Sequence, residues 1–431
     1  MSGTDSDREL RVVSLNCWGL KFVAKDRRER VDGIAAALAA APYDVICLQE
    51  IWVFADYERV RDAVAGRLPH AKFYYSGALG AGLAILSRYP IVATAVHPYS
   101  LNGAPIDVGA GDWFVGKAAA SATILHPRLG LLQVFNTHLF AKGGEDGPEY
   151  NRAHRLVNAW EIAKLIRQAA ELGRYVIAAG DFNSVPTTLP MEVIRDHAAL
   201  TDAWAVTHPN PGAGAATPLE ALARFGVTAD SPLNTYSAGK PLDAHARAHW
   251  GKRLDYVLFR QPVRAGPHPR LRAAQARVAL TDLVPGRAFS YSDHFALETT
   301  FEIGDPEELP APVPTELSEG AVAAVLQALA ACYRFARQRA RQELSVFVLC
   351  VVLLVALTIG SSWLPHSWIN PIFIIFTVFL SWTGTTMLYE GFLYGQWECN
   401  ALMNVIEELE IYKKGLELQK AHAVTQAASA A

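Results

Sequence analysis

The sequence predicts a layered α/β sandwich followed by two membrane-spanning helices, on three observations. Strand-like runs outnumber helix-like segments and do not alternate with them regularly, which favours a two-layered α/β sandwich over a barrel. The chain has 431 residues, enough for one large domain and an appendage. Its apolar content of 51% exceeds that of an ordinary soluble enzyme, and the excess is concentrated in residues 344–389, which contain no Asp, Glu, Lys or Arg.

The strand-like runs are short, aliphatic and bounded by turn residues. We predict strands at 10–15, 45–48, 82–87, 119–125, 131–137, 175–179, 253–260 and 295–303. Two segments are helical in character: an Ala-rich stretch at 30–40 and a longer one at 150–172, where Leu156, Trp160 and Ala163 recur at helical spacing.

The organisation along the chain follows changes in composition. Residues 1–304 form the sandwich domain, 305–319 a Pro- and acid-rich linker, 320–343 a basic juxtamembrane helix, and 389–431 a cytosolic amphipathic tail. Segments 344–364 and 369–388 are each long enough to cross a hydrocarbon core of ~30 Å. A buried helix pair of a soluble domain is the alternative, which so long an uncharged run disfavours.

The membrane segment leads to further expectations. Both ends of the hairpin are expected in the cytosol, because the turn 365–368 has no charge and is readily translocated. The juxtamembrane arginines, at 334, 337, 339 and 341, are expected to meet anionic headgroups. A chain truncated before Glu319 is expected to remain soluble.

Charge and cysteine usage restrict the function classes. The net charge is −3, which argues against a nucleic-acid partner because such a partner requires a basic surface. The cysteines are five and widely spaced, so they predict no disulfide framework and a reducing compartment. The acidic, polar N-terminus is not a secretory signal, so the first domain is expected to be cytosolic.

The most informative feature is a set of polar residues at the ends of apolar runs. They are Asn16, Glu50, His138, Asp181, Asn183, Asp255, Asp293 and His294. Strand ends at one edge of a sandwich can converge on one cleft. Carboxylate ligands suit Mg²⁺, no Cys/His group has zinc spacing, and two histidines can divide proton transfer and phosphoryl contact between them.

In this order, the set resembles the exonuclease–endonuclease–phosphatase superfamily, with Gln49-Glu50, Gly180-Asp181-Phe182-Asn183 and Ser292-Asp293-His294 as its local motifs. The resemblance implies an α+β, four-layered α/β/β/α sandwich of the DNase I-like type. It also implies that Glu50 is the main Mg²⁺ ligand with Asn16 beside it, and that Asp293 is an accessory ligand to metal or water.

The same resemblance assigns the remaining roles. His294 is implied as the general base, oriented by Asp255. Asp181 and Asn183 are implied to position water and phosphate, and His138 to act as general acid or phosphate binder.

A finer resemblance rests on residues 16–19, 82–88, 111–117 and 154–161 and on the C-terminal membrane pair. These segments are similar to the neutral sphingomyelinases and the fungal inositol phosphosphingolipid phospholipases C. The resemblance implies Mg²⁺-dependent hydrolysis of phosphosphingolipids to ceramide and a phosphorylated head group. The two apolar segments predict an integral membrane protein of the endoplasmic reticulum or another organelle, and the juxtamembrane arginines predict anionic phospholipids as activators. The tail is closer to the fungal branch, which favours an inositol head group.

Three local patterns admit other interpretations. Residues 111–117 have P-loop-like glycines, but Ala118 stands where a P-loop has Ser or Thr, so nucleotide binding is disfavoured. The resemblance makes Asp112 and Lys117 candidates for a switch or a phosphate contact, and a plain loop salt bridge is the alternative. Asp243, His245 and His249 could hold zinc, but their context is typical of a loop.

The rival functions share the catalytic set. DNA-repair endonucleases and inositol polyphosphate phosphatases belong to the same superfamily, and the membrane hairpin disfavours the nuclease. A membrane-tethered scaffold with an inactive hydrolase domain is a further alternative, which the complete set of polar residues disfavours.

Overall fold

The protein is described here by a computed structural model, which covers residues 5–109, 111–143, 147–212, 214–309, 315–364 and 366–430. Its strands are β1 Glu9–Asn16, β2 Val45–Gln49, β3 His70–Tyr74, β4 Leu83–Ser87, β5 Ile91–Pro98, β6 Ala118–His126, β7 Gly130–His138, β8 Tyr175–Asp181, β9 Thr201–Asp202, β10 Asp255–Arg260, β11 Gly266–Ala279 and β12 Ala296–Leu309.

The α-helices range from single turns to more than forty residues. They are α1 Arg27–Ala40, α2 Phe54–Val64, α3 Glu149–Glu171, α4 Leu189–Glu192, α5 Ala203–Thr207, α6 Pro218–Glu220, α7 Ala244–His249, α8 Glu319–Gly360, α9 Asn370–Leu388 and α10 Gly395–Ala430. A π-helical segment, Tyr389–Tyr394, joins α9 to α10.

Two six-stranded sheets stack face to face, in the orders β11-β12-β1-β2-β4-β3 and β5-β6-β7-β8-β10-β9. Strands β2, β4, β8 and β10 are buried on both faces, which explains their near-continuous apolar sequences. In β1, Leu10 and Val12 point between the sheets, whereas Val13 and Leu15 point towards helices α1 and α2. Helix α3 covers the outer face of the second sheet. The predicted four-layered α/β/β/α sandwich of the DNase I-like type is therefore confirmed.

Four strands were absent from the sequence prediction. β9 has only two residues, too few to give a periodic pattern. β5 is largely exposed and β3 is half-buried, so neither has a strong apolar signature. β11 alternates exposed polar and buried residues and contains Pro267 and Pro269, which a strand at the edge of a sheet tolerates.

The C-terminal helices do not form a free juxtamembrane helix and tail. The first half of α8 and much of α10 pack on α3 and share one apolar core with it, including Val325, Leu329, Leu402 and Leu409. We call this three-helix contact the helical joint. The predicted linker is also partly structured: β12 extends to Leu309, and Glu316 pairs with Arg167 on α3. Residues 310–314 of that linker lie outside the described part of the chain.

Helix α8 is continuous for 42 residues, so the predicted juxtamembrane helix and first span are one helix. Within the described residues, two helical segments, Glu319–Trp363 and Ser367–His422, are long and apolar enough to cross a membrane. Their apolar side chains near the hairpin, such as Leu349, Ile375 and Phe379, are exposed, which a soluble core helix would not tolerate. The predicted turn spans residues 365–368, and its first residue is not described. Trp363 precedes the turn, and Trp368 is its last residue.

Candidate active site

The predicted polar residues meet at one edge of the stacked sheets. β1, β2, β7 and β8 end there, and β10 and β12 begin there. The strand register pairs His138 with Asp181, and Asp181 with Asp255 on its other side. Because these strands run parallel or antiparallel in fixed register, side chains that are far apart in sequence converge on one cluster.

The histidine at the end of the Ser292-Asp293-His294 motif is held by a buried carboxylate. His294 Nδ1 lies 2.8 Å from Asp255 Oδ2, and Asp255 is fully buried. The ring therefore donates through Nδ1, and its Nε2 faces the cluster, 3.9 Å from Asp181 Oδ2. This arrangement fixes the tautomer that a general base requires.

Asn16 connects the two sheets at the site. Its amide Nδ2 donates to Glu50 Oε1 and to Asp181 Oδ2, both at 3.0 Å, and its Oδ1 accepts from the Trp18 backbone at 2.9 Å. Asn16 thus holds two carboxylates beside each other, while its own oxygen is engaged by the backbone. Glu50 follows β2 with a left-handed backbone (φ 52°), a conformation that costs energy in a non-glycine residue and is typical of functional sites.

Negative charge exceeds positive charge in this cluster. Burial, followed by the charge of Asp293, raises the pKa of Glu50 to about 7. Burial likewise raises the pKa of Asp181 and of Asp293. Burial alone would lower the pKa of His294, but Asp255 and Asp181 outweigh it and raise that pKa well above its usual value. The carboxylates are therefore held close together at an energetic cost that a bound cation would relieve.

The donor set fits a hard divalent cation. The carboxylates of Glu50 and Asp293 are oxygen ligands of the kind that Mg²⁺ takes, and no cysteine thiol lies among the residues of the cluster. Asp181, Asp255 and His294 also bring ligand atoms within 4.8 Å of one another. The edge of the sheets is therefore a candidate metal site.

His138 sits between the carboxylates and a buried lysine. Its Nε2 is 3.5 Å from Asp181 Oδ2 and 3.1 Å from Lys117 Nζ. Burial and the Lys117 charge lower the pKa of His138 well below its usual value, so the ring is neutral. Lys117 is itself buried and pairs with Asp112 at 2.8 Å. The Asp112–Lys117 pair predicted as a switch or salt bridge thus adjoins the site.

The segment after β8 depends on one glycine. A Cβ on Gly180 would lie 2.1 Å from the Thr137 carbonyl oxygen, so no other residue fits between β7 and β8 here. The following Asp181 Oδ1 accepts from the Asn183 backbone at 2.9 Å, and Asn183 also adopts a left-handed backbone (φ 46°). Asn183 Nδ2 donates to the Leu139 carbonyl, which ties this loop to the end of β7.

Several supporting residues were missed from the sequence. Asn136 donates to the carbonyls of Leu48 and Ala84 across the two sheets and accepts from Gln49, directly behind Glu50. The fully buried Arg30 donates to the carbonyls of Cys17, Trp18 and Tyr291 and so fixes the loop after Asn16. A charged residue on the apolar side of α1 is the signal that could have revealed Arg30.

Two other histidine groups do not join the site. Asp243 caps α7 through the Ala246 backbone and pairs with Lys252, so its carboxylate is already engaged. His154 is buried in the helical joint. It accepts from the Gly103 backbone and lies 2.9 Å from Glu398, which also binds Arg339. His154, Cys332 and Glu398 could geometrically hold a metal, but this hydrogen-bond chain already satisfies both ring nitrogens.

Comparisons with known proteins identify the family of the chain. The model of the Endonuclease/Exonuclease/phosphatase family matches residues 13–294. The inositol phosphosphingolipids phospholipase C of Schizosaccharomyces pombe is 36% identical over 417 residues, which cover 94% of this chain and 94% of that protein. Human sphingomyelin phosphodiesterase 2 is 30% identical over 297 residues, or 68% of this chain and 64% of that protein. The crystal structure of sphingomyelinase C from Streptomyces griseocarneus covers 68% of this chain and 99% of its own, at 18% identity and a TM-score of 0.47.

The family model spans the strands that carry the polar cluster, and the yeast relative matches nearly the whole chain, including the C-terminal helices. The chain therefore belongs to the endonuclease/exonuclease/phosphatase family, in the branch that contains the inositol phosphosphingolipid phospholipases C and the neutral sphingomyelinases.

Proposed function

We propose that this protein hydrolyses membrane phosphosphingolipids to ceramide and a phosphorylated head group, with Mg²⁺ as its metal. The enzyme is a phosphodiester hydrolase by family. The observation that carries the proposal is the His294–Asp255 pair facing an excess of buried carboxylates, next to helices that can enter a membrane. Such a site can bind a metal, activate water and receive a lipid from the same side.

In the proposed reaction, His294 acts in its neutral form, which a cation bound among the carboxylates would favour by offsetting the charges that raise its pKa. Its Nε2 takes a proton from water, and Asp255 stabilises the ring as it becomes positively charged. The water oxygen attacks phosphorus, the bond between phosphorus and the ceramide oxygen breaks, and the ceramide oxygen takes up a proton from solvent while His294 returns its proton to solvent. Asn183 and Asp181 position water and phosphate. We assign His138 to phosphate binding rather than to acid catalysis, because its pKa is lowered and it has no proton to give at neutral pH.

Glu50 and Asp293 would hold the metal, with Asn16 keeping Glu50 beside Asp181. A bound Mg²⁺ would supply charge stabilisation of the phosphoryl oxygens. Glu50→Gln keeps the side-chain shape and removes the charge. We expect its half-saturating Mg²⁺ concentration to rise by at least about tenfold. Loss of a residue that only hydrogen-bonds to a metal ligand already weakens metal binding by about that factor. An unchanged half-saturation point would move the metal site elsewhere.

The inositol head group is the favoured substrate form. The two yeast phospholipases C match 94% and 95% of this chain, whereas the human sphingomyelin phosphodiesterase matches only 68% of it. Sphingomyelin is expected as a second, weaker substrate.

The substrate class is tested with the full-length protein in detergent micelles containing Mg²⁺. Four substrates are compared: inositol phosphosphingolipid, sphingomyelin, an abasic DNA duplex and an inositol polyphosphate. We expect turnover of the two sphingolipids and none of the others. Preferred cleavage of the DNA or the polyphosphate would identify the protein with one of the rival activities of its family.

We further propose that the apolar halves of α8 and α9 cross an organelle membrane, such as that of the endoplasmic reticulum, as a hairpin with both ends cytosolic. The basic residues before the first span support this orientation. Tags at both termini should both be digested by protease in sealed microsomes. Protection of the C-terminal tag alone would contradict the hairpin.

A further inference from the structure

A cavity lies between the catalytic domain and the segment that follows the second apolar helix. It measures about 350 Å³. One wall contains Tyr99 and Trp113, and the other contains Tyr389, Leu393 and Trp397. Tyr389 directly follows α9, so the cavity opens where that helix would leave the membrane.

The walls of the cavity have no charged side chain among the described residues. Most of their polar groups are already satisfied. Tyr394 Oη donates to the Gly103 carbonyl at 2.5 Å, and Trp397 Nε1 donates to the Ser100 carbonyl at 2.9 Å. Leu393 and Trp397 remain 56% and 61% exposed. The cavity therefore offers mainly aromatic and aliphatic surface, which suits an uncharged, apolar ligand.

Two polar atoms in the lining are exceptions. Ser76 Oγ and Asn102 Oδ1 are buried and have no hydrogen-bond partner within the described part of the chain. Asn102 is nine-tenths buried, and its Nδ2 is engaged by the carbonyls of Tyr99 and Lys117. A buried acceptor without a donor costs free energy, so a ligand that supplies an N–H or O–H group would be favoured here.

The cavity is also connected to the active site. The Lys117 carbonyl accepts from Asn102 Nδ2 and from the Tyr99 backbone, both of which belong to the cavity wall. The side chain of the same Lys117 reaches His138. A lipid that entered the cavity from the membrane would therefore lie against the backbone that carries an active-site residue.

We propose that this cavity binds the ceramide part of the sphingolipid, with its amide and hydroxyl groups at Ser76 and Asn102. Its hydrocarbon chain would lie between Trp113 and Leu393. The inference rests on the proposed function and names where the substrate lipid sits. A sphingolipid has amide and hydroxyl donors at the level of the head group, whereas a diacylglycerol lipid whose third hydroxyl is substituted has only acceptors there. The unpaired acceptor therefore selects the sphingolipid.

The test uses the full-length protein in phosphatidylcholine vesicles that contain a photoactivatable ceramide, or a diacylglycerol with the same reactive group and a methylated hydroxyl, which has no donor. After illumination, the labelled peptides are mapped. We expect the ceramide probe to label the segments around residues 98–116 and 389–397 more than the diacylglycerol does. Equal labelling by the two probes, or labelling elsewhere, would overturn the proposal.

Two variants and a control sharpen the result. Leu393→Trp fills the cavity and should reduce ceramide labelling by about tenfold. Phe392→Trp is the matched control, because Phe392 is exposed on the same segment outside the cavity lining, and it should label like the wild type. Ser76→Ala removes one hydroxyl and should lower the ratio of ceramide to diacylglycerol labelling about fivefold, the value of one hydrogen bond. Unchanged labelling in Leu393→Trp would contradict the assignment.

Hydrolysis of the inositol lipid is measured on the same preparations, which separates the two proposals. Labelling without hydrolysis would contradict the proposed function and support the cavity. Hydrolysis without labelling of the cavity would contradict the cavity alone.

Discussion

The active-site edge and the helical joint both bury charged groups, but they balance the charges differently. In the joint, Glu398 contacts both Arg339 and His154, so the buried carboxylate is compensated within the protein. At the active-site edge, the carboxylates of Glu50, Asp181 and Asp293 are buried with raised pKa values. The first arrangement stabilises the fold, whereas the second leaves an excess of buried negative charge. That excess favours binding of a cation and, with it, of a substrate.

The backbone conformation also differs between the active-site edge and the helical joint. Trp18, Glu50 and Asn183 adopt left-handed backbone conformations at or beside the active site. The helices of the joint have regular backbones and an aliphatic core. Substitutions at the active-site edge are therefore expected to reduce activity more than stability, and substitutions in the joint to do the reverse.

Removing the joint is expected to have the largest effect. A chain truncated before Glu319 would expose the apolar face of α3, so we expect it to aggregate or to lose cooperative unfolding, contrary to the soluble domain that the sequence predicted. A chain that ends at residue 422 keeps the packed part of α10 and serves as control. Thermal unfolding and size-exclusion chromatography make the comparison; a truncated domain that is monomeric and as stable as the control would contradict the joint.

His294→Ala tests the other region. Loss of the general base should lower the turnover rate by roughly 10²–10⁴, while the melting temperature stays close to that of the wild type. The matched control is His97→Ala, a half-exposed histidine on β5 that pairs with Glu161 outside the cluster. If purified His294→Ala retains more than a tenth of wild-type activity, the base has been assigned wrongly.

Glu398→Ala should show the converse pattern. It leaves the partly buried Arg339 without its closest partner, although Glu343 remains at 3.5 Å. Breaking a fully buried ion pair costs about 3–5 kcal/mol, so we expect a loss of stability below that range. Chemical unfolding measures this loss, and the Mg²⁺ half-saturation of the remaining folded enzyme should not change. Glu410→Ala, at an exposed position on the same helix, is the control. Equal stability of the two variants would show that the ion pair contributes nothing.

The smallest effect is expected from the basic residues beside the membrane. Arg334, Arg337 and Arg341 are exposed, whereas Arg339 is engaged by Glu398 and is not available to a headgroup, contrary to the sequence interpretation. We expect replacement of the three exposed arginines by Gln to weaken binding to anionic vesicles by about 1 kcal/mol per residue. Activity on micelles without anionic lipid should persist. Binding that is unaffected by the triple change would exclude these arginines as the anionic-lipid contact.

The sequence was sufficient to predict the active-site edge, because each of its residues follows or precedes a strongly apolar strand. Asp255 and Asp181 come together through strand register, and His294, which precedes β12 of the other sheet, reaches Asp255 where the two sheets stack. The joint was not predictable in the same way. The apolar positions of α10 show that one face is buried, but not which surface covers it, and Glu398 meets His154 across 244 residues of sequence. Arg339 lies in a basic run of arginines, and the sequence does not show which of them pairs with Glu398.

The central claim is that His294 activates water for attack on phosphorus, with ceramide as the leaving group. Hydrolysis in ¹⁸O-labelled water tests this most directly, with mass spectrometry of both products. The account predicts ¹⁸O in the phosphate of the released head group and none in ceramide. Incorporation of ¹⁸O into ceramide would mean that the carbon–oxygen bond breaks and would contradict the mechanism.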